Sequence, residues 1–391
     1  MAQRKKIAAV ITEYRVPAHA DVIVGKFIKG FPTDEGMQEP QVDIASMYLD
    51  QIPDNDIGLQ VSKEYDIPVY QSIPAALCLG GSKLAVDGVI SIGEHGTYAF
   101  NEKGQHLYPR RFFFEQICGV MATSGRSVPV FSDKHLSYNW CDAKWMYDRA
   151  VELNVPFMAG SSVPLGWRDP WLEHERDAPI EDALMLSFGG IESYGYHGFE
   201  GLQAMVERRR GGETGLAAVQ CLEGEAVWQA GADGLWSREL AAAAAAVGKT
   251  SAEPMEEACE NPAAFLLEYR DGFKATLLQL NGYVEEWSYA ARVNGEVQAT
   301  GLRLHGPPYP HFSYLGLNIQ EMFLTSQPQY PVERTLLVSG GLDALMDSRH
   351  QGHIRLETPH LDVQYQAPEN MPIRPIGPRP QGASTVPFDR I

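Results

Sequence analysis

The sequence predicts an α/β protein: a doubly wound parallel sheet, then a second region built on an open, mainly antiparallel sheet. Three observations carry this. Over the first 160 residues, short apolar runs alternate with amphipathic stretches, the pattern of βαβ units. Later runs are joined through Asp271-Gly272 and Asn294-Gly295, dipeptides that favour tight hairpin turns. At 391 residues the chain exceeds what one ordinary core accommodates, so two domains are expected. They are a Rossmann-like unit over 1–160 and an α+β substrate and oligomerisation unit over 161–365, with a Pro-rich extended tail over 366–391.

Residues 7–11 read as the first strand. Residues 20–30 read as the first helix, with Ile23, Phe27 and Ile28 on one face and Gly30 as its stop. Residues 42–49 form the second strand, ending at Asp50, and 55–65 a helix. A short connection covers 69–77. Residues 88–92 are the third strand and run into Gly93-Glu94-His95-Gly96. A helix over 111–123, a strand over 128–131, a long amphipathic helix over 139–154 and a strand over 156–159 complete the first unit.

In the second unit, 183–188 is a strand and 197–209 a helix. Six consecutive Ala make 239–247 helical, with Ser237 as its N-cap. Residues 264–269 and 274–280 form one hairpin, 283–293 and 296–304 another, and 312–325 and 331–348 are helices. Helices are expected on one face of this sheet, leaving the other as a surface for a homo-oligomer.

Fifty acidic residues against 32 basic ones give a formal charge of −18, which opposes nucleic-acid binding. The basic run Arg208-Arg209-Arg210 suits a helix C-terminus instead. Five scattered Cys make neither a disulfide framework nor a Cys-type zinc site. No apolar run approaches membrane-spanning length, and no signal-like segment precedes the first strand. No membrane partner is expected, and a cytoplasmic location is.

Two segments carry the chemistry: Phe131-Ser132-Asp133-Lys134-His135-Leu136 and Ser193-Tyr194-Gly195-Tyr196-His197. The first places Lys134 and His135 at the carboxyl end of a strand, where open α/β sheets hold ligands. The second places His197 after a Gly-rich aromatic turn that opens a helix. Both resemble signature stretches of the Gfo/Idh/MocA family of sugar and polyol oxidoreductases. That family carries an acidic-Lys-Pro tripeptide between its domains and an Asp-x-Gly-x-His stretch with its catalytic His. Here His135 replaces the Pro and Ser193 the Asp. The resemblance extends through His19-Ala20-Asp21-Val22, Asp50, Glu333-Arg334-Thr335 and Thr358-Pro359-His360-Leu361. It implies NAD or NADP as cofactor, and Lys134 and His197 as the catalytic pair acting on a small carbohydrate-like substrate. There the His takes the alcohol proton as hydride leaves for the nicotinamide.

A third departure concerns the cofactor. A dinucleotide fingerprint needs glycines after the first strand, where backbone approaches the pyrophosphate. This chain has Thr12-Glu13-Tyr14-Arg15-Val16-Pro17-Ala18-His19, with no glycine. Thr12, Glu13, Arg15, Asp50 and Glu94 are the candidate cofactor contacts. Glu13 brings negative charge where phosphates lie, and Arg15 offsets it. Asp50 suits a ribose 2′-hydroxyl or a turn cap. One reading keeps NAD(P) by other contacts; the other has the site lost or repurposed.

Lys134 suits proton handling, or else a structural ion pair. Glu192 and Glu200 lie near His197 in sequence and can compensate for the absent Asp; Glu200 stands three residues on, within reach. Arg110-Arg111 belongs to a segment that closes on the site, or to a solvated turn. His19, Glu94, His95, Asp133, His135 and His197 converge if the strand ends open on one crevice. Of these, Glu94, His95, His135 and His197 are the candidate ligands for a divalent metal, zinc or manganese; polar pocket residues are the alternative. Three functions follow: an NAD(P)-dependent sugar or polyol oxidoreductase; a nucleotide-independent lyase, hydrolase or isomerase; or a non-catalytic binding or assembly protein.

Overall fold

The computed structural model describes residues 4–380. The end of the expected Pro-rich tail, 381–391, lies outside the described residues. The first half comprises β1 (Lys5–Ile11), α1 (His19–Lys29), a ribbon of β2 (Phe31–Thr33) and β3 (Gly36–Gln38), β4 (Val42–Leu49), α2 (Gly58–Glu64), β5 (Val69–Tyr70), α3 (Ile73–Leu77), β6 (Gly88–Ile92), α4 (Arg110–Ser124), β7 (Val130–Asp133), α5 (Trp140–Glu152) and β8 (Phe157–Gly160). Six strands pair in parallel in the order β5-β4-β1-β6-β7-β8. The order reverses between β1 and β6, the switch point at which such sheets hold ligands. Alternation within β1 sets the layers: Ala8 and Val10 enter one core with Phe113 and Ile117 of α4. Ile7, Ala9 and Ile11 enter another with Ile23 and Phe27 of α1.

The second half comprises a 3-10 turn (Val163–Leu165), β9 (Trp167–Asp169), β10 (Ile180–Ser187), α6 (Ser193–Val206), β11 (Leu216–Glu223), α7 (Glu225–Ala232), α8 (Arg238–Val247), α9 (Met255–Ala258), β12 (Ala263–Tyr269), β13 (Lys274–Gln279), β14 (Trp287–Val293), β15 (Glu296–Arg303), α10 (Pro310–Thr325), α11 (Val332–His350) and β16 (Leu356–Glu357). Its sheet runs β16-β11-β12-β13-β10-β14-β15-β9, antiparallel except where β10 meets β13. The fold is thus a Rossmann-like parallel sheet with helices plus a mixed, mostly antiparallel sheet. Asn294 and Gly295 both take positive φ, as a tight hairpin turn requires. Ser237 caps α8, its hydroxyl accepting from Leu240 N.

Several expectations need correction. The strand after α4 starts at Val130 and runs on to Asp133, so Lys134 is the first residue beyond it. Helix α6 starts at Ser193, which puts His197 in its second turn. Gly195 reads in sequence as part of a turn and Gly198 as part of the helix after it; both are packing glycines within α6. A Cβ on Gly198 would stand 2.7 Å from Leu277 and 2.8 Å from Ser187 of the underlying sheet. The sequence pattern does not single out β9, β11 or α7.

The second sheet carries helices on both faces. α6 and α11 cover one. On the other, Leu184, Leu186, Leu278 and Leu280 lie under Val227 of α7 and Leu240, Ala241 and Ala244 of α8. An apolar sheet face needs such a cover. The face expected to meet a second copy is therefore occupied by this chain's own helices. α10 crosses back to the first sheet, where Leu315, Ile319 and Phe323 share a core with α1. The tail is held by Asn318, which donates to Ile373 O at 2.7 Å and accepts from Ile373 N at 2.9 Å. No helix among the described residues is long and apolar enough to cross a membrane.

Candidate functional site

The segments after β6 and β7 and the start of α6 meet at one cleft of about 380 Å³, lined by Glu94, His95, Lys134, His135, Glu192 and Tyr194 among others. Lys134 leaves β7 in a left-handed backbone conformation, φ 62°, with its N–H on Gly160 O at 3.1 Å. That turn swings its ammonium to 2.9 Å from Glu94 Oε1. Arg110, the first residue of α4, takes the other Glu94 oxygen. Burial works to raise the Glu94 pKa, but Lys134 and Arg110 together hold the carboxyl well below the usual range.

Arg110 Nη1 also donates to His135 Nε2 at 3.1 Å. A nitrogen that accepts from Arg belongs to a neutral imidazole. Burial and the Arg110 charge agree, pushing the His135 pKa far down. Glu192 Oε1 lies 3.6 Å from the same His135 nitrogen. Burial raises the Glu192 pKa to about 7; Arg110 opposes the rise and Glu94 adds to it.

His197 is not among the residues lining the cleft; its ring stands 5.9 Å from that of Tyr194, which is, and it is positioned from the other side. Its Nδ1 meets Ser161 Oγ at 3.0 Å. Ser161 in turn gives its N–H to Glu200 Oε1 at 2.9 Å and its hydroxyl to Oε2 at 2.5 Å. With that hydroxyl committed, Ser161 Oγ accepts the Nδ1 proton, and Nε2 keeps its lone pair. Burial, then the charges of Lys134 and His19, hold His197 neutral. Glu200 reaches His197 through Ser161 rather than by direct contact. Ser161 escaped the sequence reading; its one signal is its place just past the carboxyl end of a strand.

The candidate cofactor contacts have other partners. Thr12 N–H donates to Ile92 O at 3.0 Å and its hydroxyl to Glu94 O at 2.5 Å, stitching the switch point shut. Glu13 pairs with Arg15 at 2.6 Å. Tyr14 is fully buried inside the same loop. Asp50 accepts the hydroxyls of Tyr48 at 2.7 Å and Tyr98 at 2.6 Å. Beside it, Gln51 and Thr97 exchange two hydrogen bonds, so the segment after β6 lies clamped across the end of β4. A pyrophosphate needs open backbone N–H groups and room without Cβ atoms. The residues present here do not fit a dinucleotide in that place.

The expected metal set does not assemble either. Among the described residues no three His, Cys, Asp or Glu side chains gather as ligands. Glu94 is spent on Lys134 and Arg110, His135 on Arg110, and His197 on Ser161. His95 lines the cleft with its ring 5.2 Å from that of His19, which binds Asp133 at 2.6 Å.

No family model matches the chain, and no curated protein matches it. Solved structures do. GenD2 from gentamicin A biosynthesis, in complex with NAD, superposes with a TM-score of 0.57 at 13% identity, over 92% of this chain and 97% of its own. Scyllo-inositol dehydrogenase from Lactobacillus casei, with bound NAD(H) and scyllo-inositol, gives 0.55 at 11% identity over 91% and 99%. Myo-inositol 2-dehydrogenase from Lactobacillus plantarum gives 0.55 at 9% over 91% and 99%. The chain shares the two-sheet fold of these three proteins.

Proposed function

We propose that the chain is an enzyme moving protons on a small carbohydrate-like substrate in this cleft, as a lyase, hydrolase or isomerase that needs no dinucleotide. The observation that supports this most is the combination of two groups. His197 is held neutral with Nε2 available, and Glu192 is a buried carboxyl titrating at about 7. The first is unprotonated and so can accept a proton, and the second can act as a general acid near neutral pH. Lys134, steadied by Glu94, hydrogen-bonds a substrate oxygen and balances charge that develops there. His197 takes a proton from the substrate, and Glu192 delivers one to the departing or carbonyl oxygen. Tyr194 offers an aromatic face at the cleft wall to sugar C–H groups.

A second reading, an NAD(P)-dependent oxidoreductase like the fold neighbours, rests on the strand order and on an acid, Asp50, after β4. One experiment separates them. Aldoses, ketoses, sugar acids and polyols are incubated with the protein in D₂O, with and without NAD⁺ or NADP⁺, and followed by proton NMR. Deuterium exchange or product formation without nucleotide is expected. Lys134→Met and His197→Ala should each lower the rate about 10²–10⁴-fold. The double variant should lose little more than the worse single. Turnover only with nucleotide present would establish the second reading instead.

A further inference from the structure

The segment between β6 and α4 folds into a small hairpin that lines the cleft through Phe100, His106 and Tyr108. Phe100 and His106 oppose each other across an antiparallel bridge. Leu107 N–H donates to Ala99 O at 2.9 Å. Asn101 Oδ1 accepts from Lys103 N–H at 3.1 Å and from Gln105 N–H at 2.9 Å, which closes the tip. Helix α11 holds that tip. Lys103 Nζ lies 2.6 Å from Asp347 and 3.3 Å from Asp343, and Gln105 Nε2 donates to Asp343 at 3.0 Å.

The hairpin carries a ladder of planar groups. Phe100 stacks on His106 with centroids 4.1 Å apart, and His106 packs on Tyr108 at 4.0 Å, inclined by 32°. Two rings that close cannot share one face, so His106 is sandwiched between them. The Arg110 guanidinium follows over the Tyr108 ring at 4.8 Å. Arg110 is the cation that binds both Glu94 and His135. The ladder thus begins at the charge network of the cleft, where Arg110 is 1% exposed, and ends at Phe100, 63% exposed. Burial pushes the His106 pKa down, so no charge interrupts it. Tyr194, from α6, is a second exposed aromatic ring on the cleft wall. One exposed apolar ring is ordinary on a protein surface. Here two line a single cleft, and one stands on a hairpin tied down by ion pairs. A ring already held in place loses little freedom when a ligand covers it.

We propose that the cleft takes a disaccharide, with one ring at Lys134 and Glu192 and the second against Phe100 and Tyr194. This rests on the proton-transfer reading of the cleft and adds Phe100 as a specificity-determining residue. Three stacking steps separate Phe100 from Arg110, farther than a single sugar ring spans. A lone sugar at the charged end therefore leaves Phe100 bare. A second ring offers it an apolar C–H face, while its hydroxyl edge suits polar neighbours such as Ser193, beside Tyr194 on the cleft wall.

Saturation-transfer NMR titrations of the full chain test this, with cellobiose, maltose, lactose and trehalose set against their component sugars, glucose and galactose. At least one disaccharide is expected to bind about tenfold tighter than either of its component sugars, the scale of one aromatic contact. Phe100→Ala should bring that ratio close to one, and Phe100→Trp should preserve it. Melting temperatures report that both variants fold. Disaccharides that bind no tighter than their components overturn the proposal, and so does a ratio that Phe100→Ala leaves intact. Absence of saturable binding by every sugar in the set overturns it too. The proton-transfer reading falls separately, on turnover that requires nucleotide.

Discussion

Glu94 Oε1 lies 2.9 Å from Lys134 Nζ, and that ion pair ties the turn after β6 to the turn after β7. The backbone on both sides is left-handed, φ 69° at His95 and 62° at Lys134. Such conformations in non-glycine residues cost about 1–3 kcal/mol each and persist where surrounding contacts enforce them.

Replacing the carboxylate tests that clamp. Glu94→Gln leaves Lys134 and Arg110 buried without a counter-charge. A loss of about 3–5 kcal/mol is expected, from a urea melt at neutral pH. Because the folded Glu94 pKa is depressed, its stabilisation is present above the ordinary carboxylate value of 4.5 and is lost as pH falls. The gap between wild type and variant should therefore narrow in acid. A constant gap would remove the ion pair from the account.

Glu192 has the opposite sign. Its folded pKa is raised from 4.5 to about 7, so the folded state holds a proton that the unfolded state has released. This group's contribution should fall as pH rises from 4.5 to 7 and then level off. Glu192→Gln should flatten that slope and remove the limb near neutrality from the pH–rate profile. An unchanged profile would exclude Glu192 from proton transfer.

Dinucleotide binding should be weak. Calorimetric titration with NAD⁺, NADH, NADP⁺ and NADPH should give no saturable heat up to about 1 mM, an affinity of roughly 4 kcal/mol. Micromolar binding would show that the loop opens, breaking the Thr12–Glu94 and Asp50–Tyr98 contacts.

Gly198→Ala should cost about 1–3 kcal/mol by overpacking, since the new methyl meets Leu277 and Ser187 at less than contact distance. Gly119→Ala on α4, where a Cβ meets nothing within 4 Å, is the control and should be neutral or stabilising. Equal melting temperatures for the two variants would contradict the packing role.

Local pattern carried much of the architecture. Residues 42–49 and 88–92 were legible as strands because their apolar runs end at turn residues, and they match β4 and β6. The boundaries of α6 were not, because Gly195 looks like part of a turn until the sheet beneath it is known. Lys134 was legible as a strand-end cation, but its partner Glu94 stands 40 residues away. Glu200 was in view beside His197, while Ser161, which connects them, is 39 residues from Glu200.

The sequence by itself determined the alternation of strands and helices in the first half, the glycine-free loop after β1 and the place of Lys134 at a strand end, with His197 on a later helix. These follow from periodicity and residue type, which act over a few residues. The tertiary structure decided which charges neutralise one another, which helices cover the second sheet and which imidazoles remain neutral. Those depend on burial and on contacts across the chain, where a carboxylate serves one set of cations and is lost to any other.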